Sequence, residues 1–263
     1  MKIFIPMAGK GTRLRPFTLT CPKPLINVLD KPIVEHLIDQ ITSKVKSNID
    51  EIVYILGDES YFNDEVVNSL NIISEKYNAK TKIYRQLEQL GTGHAIMCAE
   101  ESLSGPSIIA YADTMIQGNI EIDTQVDGII WVKKVDNPSA YGVVNLDNEN
   151  KITELIEKPA EFISDLAVVG IYYFKEAANL RGYLRKHLSE KLSPGKEYLL
   201  NYGIEKMIKN GDSFVPKEID IWMDCGTPEL LLNSTKIIMD TYHDNVDENR
   251  VCLLYTSDAA DDA

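Results

Sequence analysis

Residues 2–16 read Lys2-Ile3-Phe4-Ile5-Pro6-Met7-Ala8-Gly9-Lys10-Gly11-Thr12-Arg13-Leu14-Arg15-Pro16. Lys2 to Met7 is a short, mostly apolar run, which predicts a buried strand. The glycines that follow are interleaved with cations. After the first strand of an open parallel sheet, such a turn brings backbone N–H groups to the carboxyl edge, where a phosphate can approach them closely. Two familiar phosphate loops do not fit. The Walker pattern closes on Gly-Lys-Ser/Thr, whereas Gly11 leads straight into Thr12; the dinucleotide fingerprint ends on Gly or Ala, and Leu14 stands at that place.

Outward from this turn the chain alternates. A proline-rich loop carries Pro16, Pro22 and Pro24, and Pro32 opens a helix with apolar residues at Ile33, Val34, Leu37, Ile38 and Ile41. Strands are predicted at Glu51 to Leu56, Lys80 to Tyr84 and Ser107 to Ala112, with helices at about Tyr61 to Tyr77 and Thr92 to Glu101 between them. Strand–helix alternation calls for a parallel sheet covered on both faces. Further strands are predicted at Gly128 to Lys134, Tyr141 to Leu146, Ile152 to Ile156 and Leu166 to Phe174. Helices at Lys175 to Glu190, Tyr198 to Lys209 and Pro228 to His243, with short strands near Phe214 and Ile221, complete the reading. The expectation is an α/β fold of three layers around a mixed, mainly parallel sheet. No Gly-, Ser- or Pro-rich linker divides it, so residues 1–245 read as one domain with 246–263 as a tail. The segment from Cys252 to Ala263 breaks the pattern, resembles translated adapter sequence and is read as non-native.

The 263 residues are 44% hydrophobic and 25% charged, enough to bury a core without disulfides, which excludes disorder as the main theme. The four cysteines, at 21, 98, 225 and 252, form no C-x-x-C pair and have no clustered histidines beside them. They read as buried free thiols of a reducing compartment. The N-terminal apolar run is broken by Pro6, and no stretch approaches the roughly 18 apolar residues of a membrane span, so a soluble cytoplasmic protein with no membrane partner is expected.

A net charge of −13 argues against a general nucleic-acid binder, because a phosphate backbone would be repelled. Residues 1–31 nevertheless hold six lysines and arginines against the single acid Asp30, a local +5 on a chain that is otherwise −18. That contrast points to a local anion site.

Gly9-Lys10-Gly11-Thr12-Arg13-Leu14-Arg15-Pro16 followed by Pro22-Lys23-Pro24-Leu25 resembles the signature of the sugar nucleotidyltransferases, or nucleoside diphosphate sugar pyrophosphorylases. The likeness continues in order to about residue 245: Gln86 with Leu90-Gly91-Thr92-Gly93-His94-Ala95, Tyr111-Ala112-Asp113, Tyr141-Gly142-Val143-Val144, Glu157-Lys158-Pro159, Val169-Gly170-Ile171-Tyr172 and Trp222-Met223-Asp224-Cys225-Gly226-Thr227. It implies the nucleotide-diphospho-sugar transferase (Rossmann-like) fold and a reaction joining a sugar 1-phosphate to a nucleoside triphosphate with release of pyrophosphate. These two substrates are the expected partners, with homo-oligomerisation left open.

Residue by residue, the resemblance implies a nucleotide site of Ala8, Gly9, Gly11, Thr12, Arg13, Gln86, Gly91 and Thr92. It implies a sugar-phosphate site of Tyr141, Gly142, Glu157, Lys158 and Val169, and chemistry carried by Arg13, Lys23, Asp113 and Asp224. Asp113 and Asp224 would be the metal ligands, which suits Mg²⁺, a hard cation typically held by one or two carboxylates plus substrate phosphates. Taken singly, either aspartate could merely cap a turn. Lys158, held extended before Pro159, would offer the sugar phosphate a point charge. His94 reads as a structural or capping residue and Trp222 as core. Gln86, whose amide both donates and accepts, and the backbone at Gly91 would read the O4 and N3–H edge of uracil or thymine. Glucose 1-phosphate with dTTP or UTP is expected; a mannose-1-phosphate guanylyltransferase and a catalytically silent binding homologue are the alternatives. One departure stands out: where relatives carry Glu-Tyr-Gln-Leu-Thr-Asp, this chain has Glu197-Tyr198-Leu199-Leu200-Asn201-Tyr202, which puts local packing or helix capping there in doubt.

Overall fold

A computed structural model describes residues 1–45, 47–118 and 120–245, with side chains to residue 241; the tail expected beyond 245 lies outside the described residues. In chain order the elements are β1 (Lys2–Pro6), β2 (Asn27–Val28), β3 (Lys31–Pro32), α1 (Ile33–Lys44), β4 (Glu51–Leu56), α2 (Asp64–Glu75), β5 (Lys80–Arg85), α3 (Thr92–Cys98), β6 (Ser107–Ala110) and β7 (Thr114–Gln117). There follow β8 (Gly128–Lys134), β9 (Gly142–Leu146), β10 (Ile152–Glu157), β11 (Leu166–Phe174), α4 (Ala177–Ser189), α5 (Leu200–Lys209), β12 (Phe214–Glu218), β13 (Ile221–Asp224) and α6 (Pro228–Asn245).

The main sheet has nine strands in the order β10-β9-β11-β6-β1-β4-β5, with β8 pairing β11 and β12. It is the expected mixed, mainly parallel sheet. β6, β1, β4 and β5 run parallel, and β11 enters antiparallel between β6 and β9. Alternation along β1 sorts the layers. Ile3 and Ile5 belong to a core with Val34, Leu37, Ile38 and Ile41 of α1 and with Leu70 and Ile73 of α2. Phe4 faces the other way, into a core with Ile96 of α3, Leu180 and Leu184 of α4 and Ile204 of α5. Every apolar residue expected on α1 is fully buried, as a helical stripe of period 3.6 requires. At roughly 1.5–3 kcal/mol for each large aliphatic side chain buried, this stripe docks the helix.

Several element ends differ from the sequence reading. The strand expected to reach Ala112 stops at Ala110, and a separate strand, β7, begins four residues later and pairs antiparallel with β13 through Thr114↔Asp224 and Met115↔Met223. The second helix starts at Asp64 rather than Tyr61, because Asn63 caps it by accepting from the Val66 amide at 3.2 Å. The fourth starts at Ala177, where Glu176 accepts from Ala178 at 3.0 Å. Of the thiols expected to be buried, only Cys225 is; Cys21 and Cys98 are half-buried, all three are free, and Cys252 lies outside the described residues.

Candidate active site

The carboxyl ends of β1, β6, β4 and β5 converge, and the residues that follow them build one cleft. The glycine turn leaves β1, Asp113 follows β6, and Gln86 follows β5. Gly11 sits at φ 59°, and a Cβ there would meet the Cβ of Lys23 and the Cγ2 of Thr18 at 3.0 Å, so this close turn needs glycine. The carbonyl of Gly11 accepts from the Thr18 hydroxyl at 2.8 Å, tying the turn to the proline-rich loop. Gly9 has open space where a Cβ would be, leaving its backbone accessible from the cleft.

The cleft divides into two cavities. The larger, about 480 Å³, is walled by Ala8, Gly9, Gly11, Thr12, Gln86, Gly91 and Lys23 among others. The smaller, about 220 Å³, is walled by Tyr141, Gly142, Glu157, Val169, Trp222 and Asp224 among others. Arg13, Thr92, Tyr111 and Asp113 line both. The residues expected for the nucleotide thus all border one cavity. Those expected for the sugar phosphate border its neighbour, with the exception of Lys158.

Charge at the junction is arranged in opposition. The Lys23 ammonium donates to Asp113 Oδ2 at 2.9 Å, and the Lys23 side chain is 10% exposed against 42% for Asp113. Asp113 is held against the β13 end by its own carbonyl, which accepts from the Cys225 amide at 3.0 Å. Asp224 Oδ1 accepts from the Gly226 amide at 2.7 Å. Burial, and then the charge of Asp113, push the Asp224 carboxyl above its ordinary range, against the pull of the Gly226 hydrogen bond, Lys23 and Arg13. A pair of carboxylates in which the charge of Asp113 opposes the ionisation of Asp224, beside phosphate-sized space, is a donor set suited to a hard divalent cation. Among the described residues no group of three or more His, Cys, Asp or Glu could hold a metal, so further ligands would have to come from substrate phosphates or water.

The segment expected to read the base is stitched to a distant stretch. The Gly93 amide donates to the Tyr198 carbonyl at 2.7 Å, the Tyr198 amide to the Leu90 carbonyl at 2.8 Å, and the Leu200 amide to the Thr92 hydroxyl at 3.0 Å. Gly91 has φ 116°, and a Cβ there would lie 2.6 Å from the Tyr198 carbonyl oxygen. Only glycine permits this approach.

Three readings need correction. Lys158 is not extended before Pro159: it has φ 44°, its amide donating to the Tyr141 carbonyl at 3.0 Å to continue the β9–β10 pairing. Its side chain is exposed, one residue beyond Glu157, and walls neither cavity. Gln86 does not donate and accept towards the cavity at once, because its Nε2 is spent on the Gly91 carbonyl and on His94 Nδ1, both at 3.0 Å. His94 caps nothing. Trp222, expected in the core, packs against it only in part and also walls the smaller cavity, with its ring edge-on to Tyr141 at 4.9 Å.

The departure at 197–202 also resolves. Leu199 caps α5 without a side-chain bond, and Tyr202 turns outward to stack on His187 at 3.7 Å, away from both cavities. Asn201 does the opposite. Its Nδ2 donates to Glu157 Oε2 at 2.7 Å and its Oδ1 accepts from the Tyr172 hydroxyl at 3.1 Å, so it fixes the carboxylate expected to bind sugar. Tyr111, Tyr172, Asn201 and Glu197 were missed from sequence. Burial pushes the Tyr111 phenol up to about 12, so it stays a neutral hydrogen-bonding wall.

With this geometry in view, the match to known proteins is decisive: the nucleotidyl transferase family aligns with residues 4–241. The chain belongs to that family. It is 33% identical over 232 residues to the bifunctional protein GlmU of Methanococcus maripaludis, covering 87% of this chain and 52% of that protein. It is 30% identical over 239 residues to the UTP–glucose-1-phosphate uridylyltransferase AglF of Haloferax volcanii, covering 87% and 93%. The chain therefore spans about half the length of the GlmU proteins it matches and nearly all of AglF. In fold, the chain superposes on a protein assigned as a glucose-1-phosphate thymidylyltransferase from Bacillus anthracis with TM-score 0.76 and 24% identity, covering 91% of this chain and 96% of that one. A UDP-glucose pyrophosphorylase solved with UDP-glucose gives TM-score 0.73 at 22% identity, covering 91% and 98%. The chain is thus a member of a family of sugar-1-phosphate nucleotidyltransferases. No helix among the described residues is long and apolar enough to cross a membrane.

Proposed function

We propose that the chain joins a sugar 1-phosphate, glucose 1-phosphate in the first instance, to UTP or dTTP and releases pyrophosphate. The observation that carries this reading is the pair of adjoining cavities that share Arg13 and Asp113, with Lys23 on the larger and Asp224 on the smaller. Two polyanions can meet there only if cations flank the junction.

In this reading the larger cavity takes the triphosphate. Backbone at Ala8, Gly9 and Gly11 with the Thr12 hydroxyl cradles it, and Arg13, which makes no ion pair of its own among the described residues, grips the departing β and γ phosphates with its planar fork. The smaller cavity takes the sugar, held by Glu157, Gly142, Tyr141 and Val169, with Lys158 reaching the phosphate from the rim. A phosphate monoester has a second pKa of about 6 and is already largely ionised at neutral pH, so no general base is needed. One of its oxygens forms a bond to the α-phosphorus as the bond to the bridging oxygen of pyrophosphate breaks. Lys23, freed from Asp113, steadies charge at that phosphorus. Asp113 and Asp224 would hold Mg²⁺, which when bound supplies charge neutralisation across the phosphates. Catalysis is chiefly positioning and charge stabilisation.

The name of AglF supports UTP and glucose 1-phosphate, and the lack of a membrane-spanning helix among the described residues is compatible with work in the cytoplasm. Pyrophosphate release measured over a grid of nucleoside triphosphates and sugar 1-phosphates tests the reading. Release that requires both substrates and is largest with UTP or dTTP supports it. Nucleotide binding by calorimetry without any release would instead make this a silent homologue.

A further inference from the structure

Gln86 is 6% exposed on the wall of the larger cavity, and its amide is fully committed on one side. A primary amide has two protons and one oxygen. One proton goes to the Gly91 carbonyl and the other to His94 Nδ1, each at 3.0 Å. Since an amide nitrogen can only donate, Nδ1 must carry the lone pair. The His94 ring also bonds the Glu88 backbone. The carbonyl oxygen of Gln86 is left over. Among the described residues the only buried side-chain polar atoms without a partner are the indole nitrogens of Trp131 and Trp222, so Gln86 Oε1 is neither paired nor sealed off. It opens to the cavity as a bare acceptor.

We propose that His94 is a positioning residue for nucleobase choice: by taking the second proton of the Gln86 amide, it makes the cavity present an acceptor alone, which selects a pyrimidine bearing a ring N–H. Uracil and thymine carry that proton at N3. Cytosine carries a lone pair there, which would face the lone pairs of Oε1 with no donor between. This rests on the reading that the larger cavity holds the nucleoside triphosphate. It adds that CTP is refused, and that the refusal comes from a residue which itself does not touch the base.

The test compares His94→Leu, which removes the acceptor at similar size, with His94→Asn, whose side-chain oxygen can take the place of Nδ1. Both lose the bond to Glu88, so they differ in the one feature that matters. The kcat/KM for UTP, dTTP, CTP and N3-methyl-UTP is measured at fixed sugar 1-phosphate. Wild type should prefer UTP over CTP and over N3-methyl-UTP by about 100-fold or more, because a site built for a hydrogen bond rejects the analogue lacking it. His94→Leu should narrow the UTP-to-CTP ratio by about ten-fold through the nucleotide KM, leaving the sugar 1-phosphate KM in place, and His94→Asn should keep the wild-type ratio. A wild-type ratio retained in His94→Leu, or N3-methyl-UTP used as readily as UTP by wild type, overturns the role of His94 while leaving the activity standing. Absence of pyrophosphate release from wild type with every triphosphate overturns the activity and this inference with it.

Discussion

The ammonium of Lys23 lies 2.9 Å from Oδ2 of Asp113, ninety positions further along the chain. Lys23 follows the glycine turn and Asp113 follows the neighbouring parallel strand, so this contact closes the anion-binding loop over the carboxylate pair. In the free protein Lys23 is the counter-charge to Asp113, and Asp224 is left with a raised carboxyl pKa. Lys23→Met should lower the melting temperature by about 2–8 °C, the equivalent of about 1–2 kcal/mol once the 42% exposure of Asp113 is allowed for. Millimolar Mg²⁺ should restore most of the loss, since a divalent cation takes over the charge balance. A melting curve of wild type and variant that ignores Mg²⁺ would refute the carboxylate pair as a cation site.

Asp113→Asn and Asp224→Asn should each cut turnover by about two orders of magnitude or more, because each removes a ligand where phosphate charge is already dense. Folding should survive. Relief of repulsion at Asp224 offsets what is lost at Asp113, and circular dichroism should match wild type. Either variant retaining activity within a few-fold at saturating Mg²⁺ would show that the metal is held elsewhere.

Arg13→Ala should reduce kcat/KM for the triphosphate by about 10- to 150-fold, the range of a hydrogen bond to a charged group. Lys158→Ala should act on the sugar 1-phosphate KM instead, and more weakly, because Lys158 is exposed and lies one residue beyond Glu157, which lines the smaller cavity. Steady-state kinetics in both substrates separates the two. The reverse assignment would mean that nucleotide and sugar occupy each other's cavities.

His94 gives a pH dependence of definite sign. Its pKa is held below the ordinary histidine value by burial, with Glu88 pulling the other way; Glu197 is a further acid on the same cavity. Between the folded and unfolded pKa values the unfolded chain binds more protons. Stability is therefore full above the unfolded value of about 6.5 and is lost as pH falls below it. Protonation also turns Nδ1 into a donor that the Gln86 amide cannot meet. The UTP KM should rise on acidification in wild type and stay nearer flat in His94→Asn. Identical profiles for the two proteins would remove His94 from base recognition.

How much of this could be read from sequence follows the range of the forces involved. The glycine turn, Lys23 and the two aspartates were legible because each lies in a contiguous segment whose residue types serve one chemistry. The layers were legible because Ile3, Phe4 and Ile5 alternate with period 2 and Ile33, Val34, Leu37, Ile38 and Ile41 recur with the helical period. Asn201 was not, since its importance is created by Glu157 and Tyr172, which reach it from β10 and β11. The cavity face of Trp222 was not legible, because an aromatic beside apolar residues looks the same whether it only packs on a core or also walls a cavity. Gln86 was read as a free amide because nothing in its own neighbourhood announces that Gly91 and His94 take both of its protons.

The most direct test of the proposed reaction follows the phosphorus atoms. UTP labelled at the α-phosphate, or in a parallel reaction at the γ-phosphate, is incubated with glucose 1-phosphate, Mg²⁺ and the enzyme. Attack on the α-phosphorus predicts that the α label appears in the nucleoside diphosphate sugar and the γ label in pyrophosphate, in equal amounts. Recovery of the γ label as inorganic phosphate in the absence of pyrophosphatase, or of the α label in UMP or UDP with no sugar nucleotide formed, would contradict it.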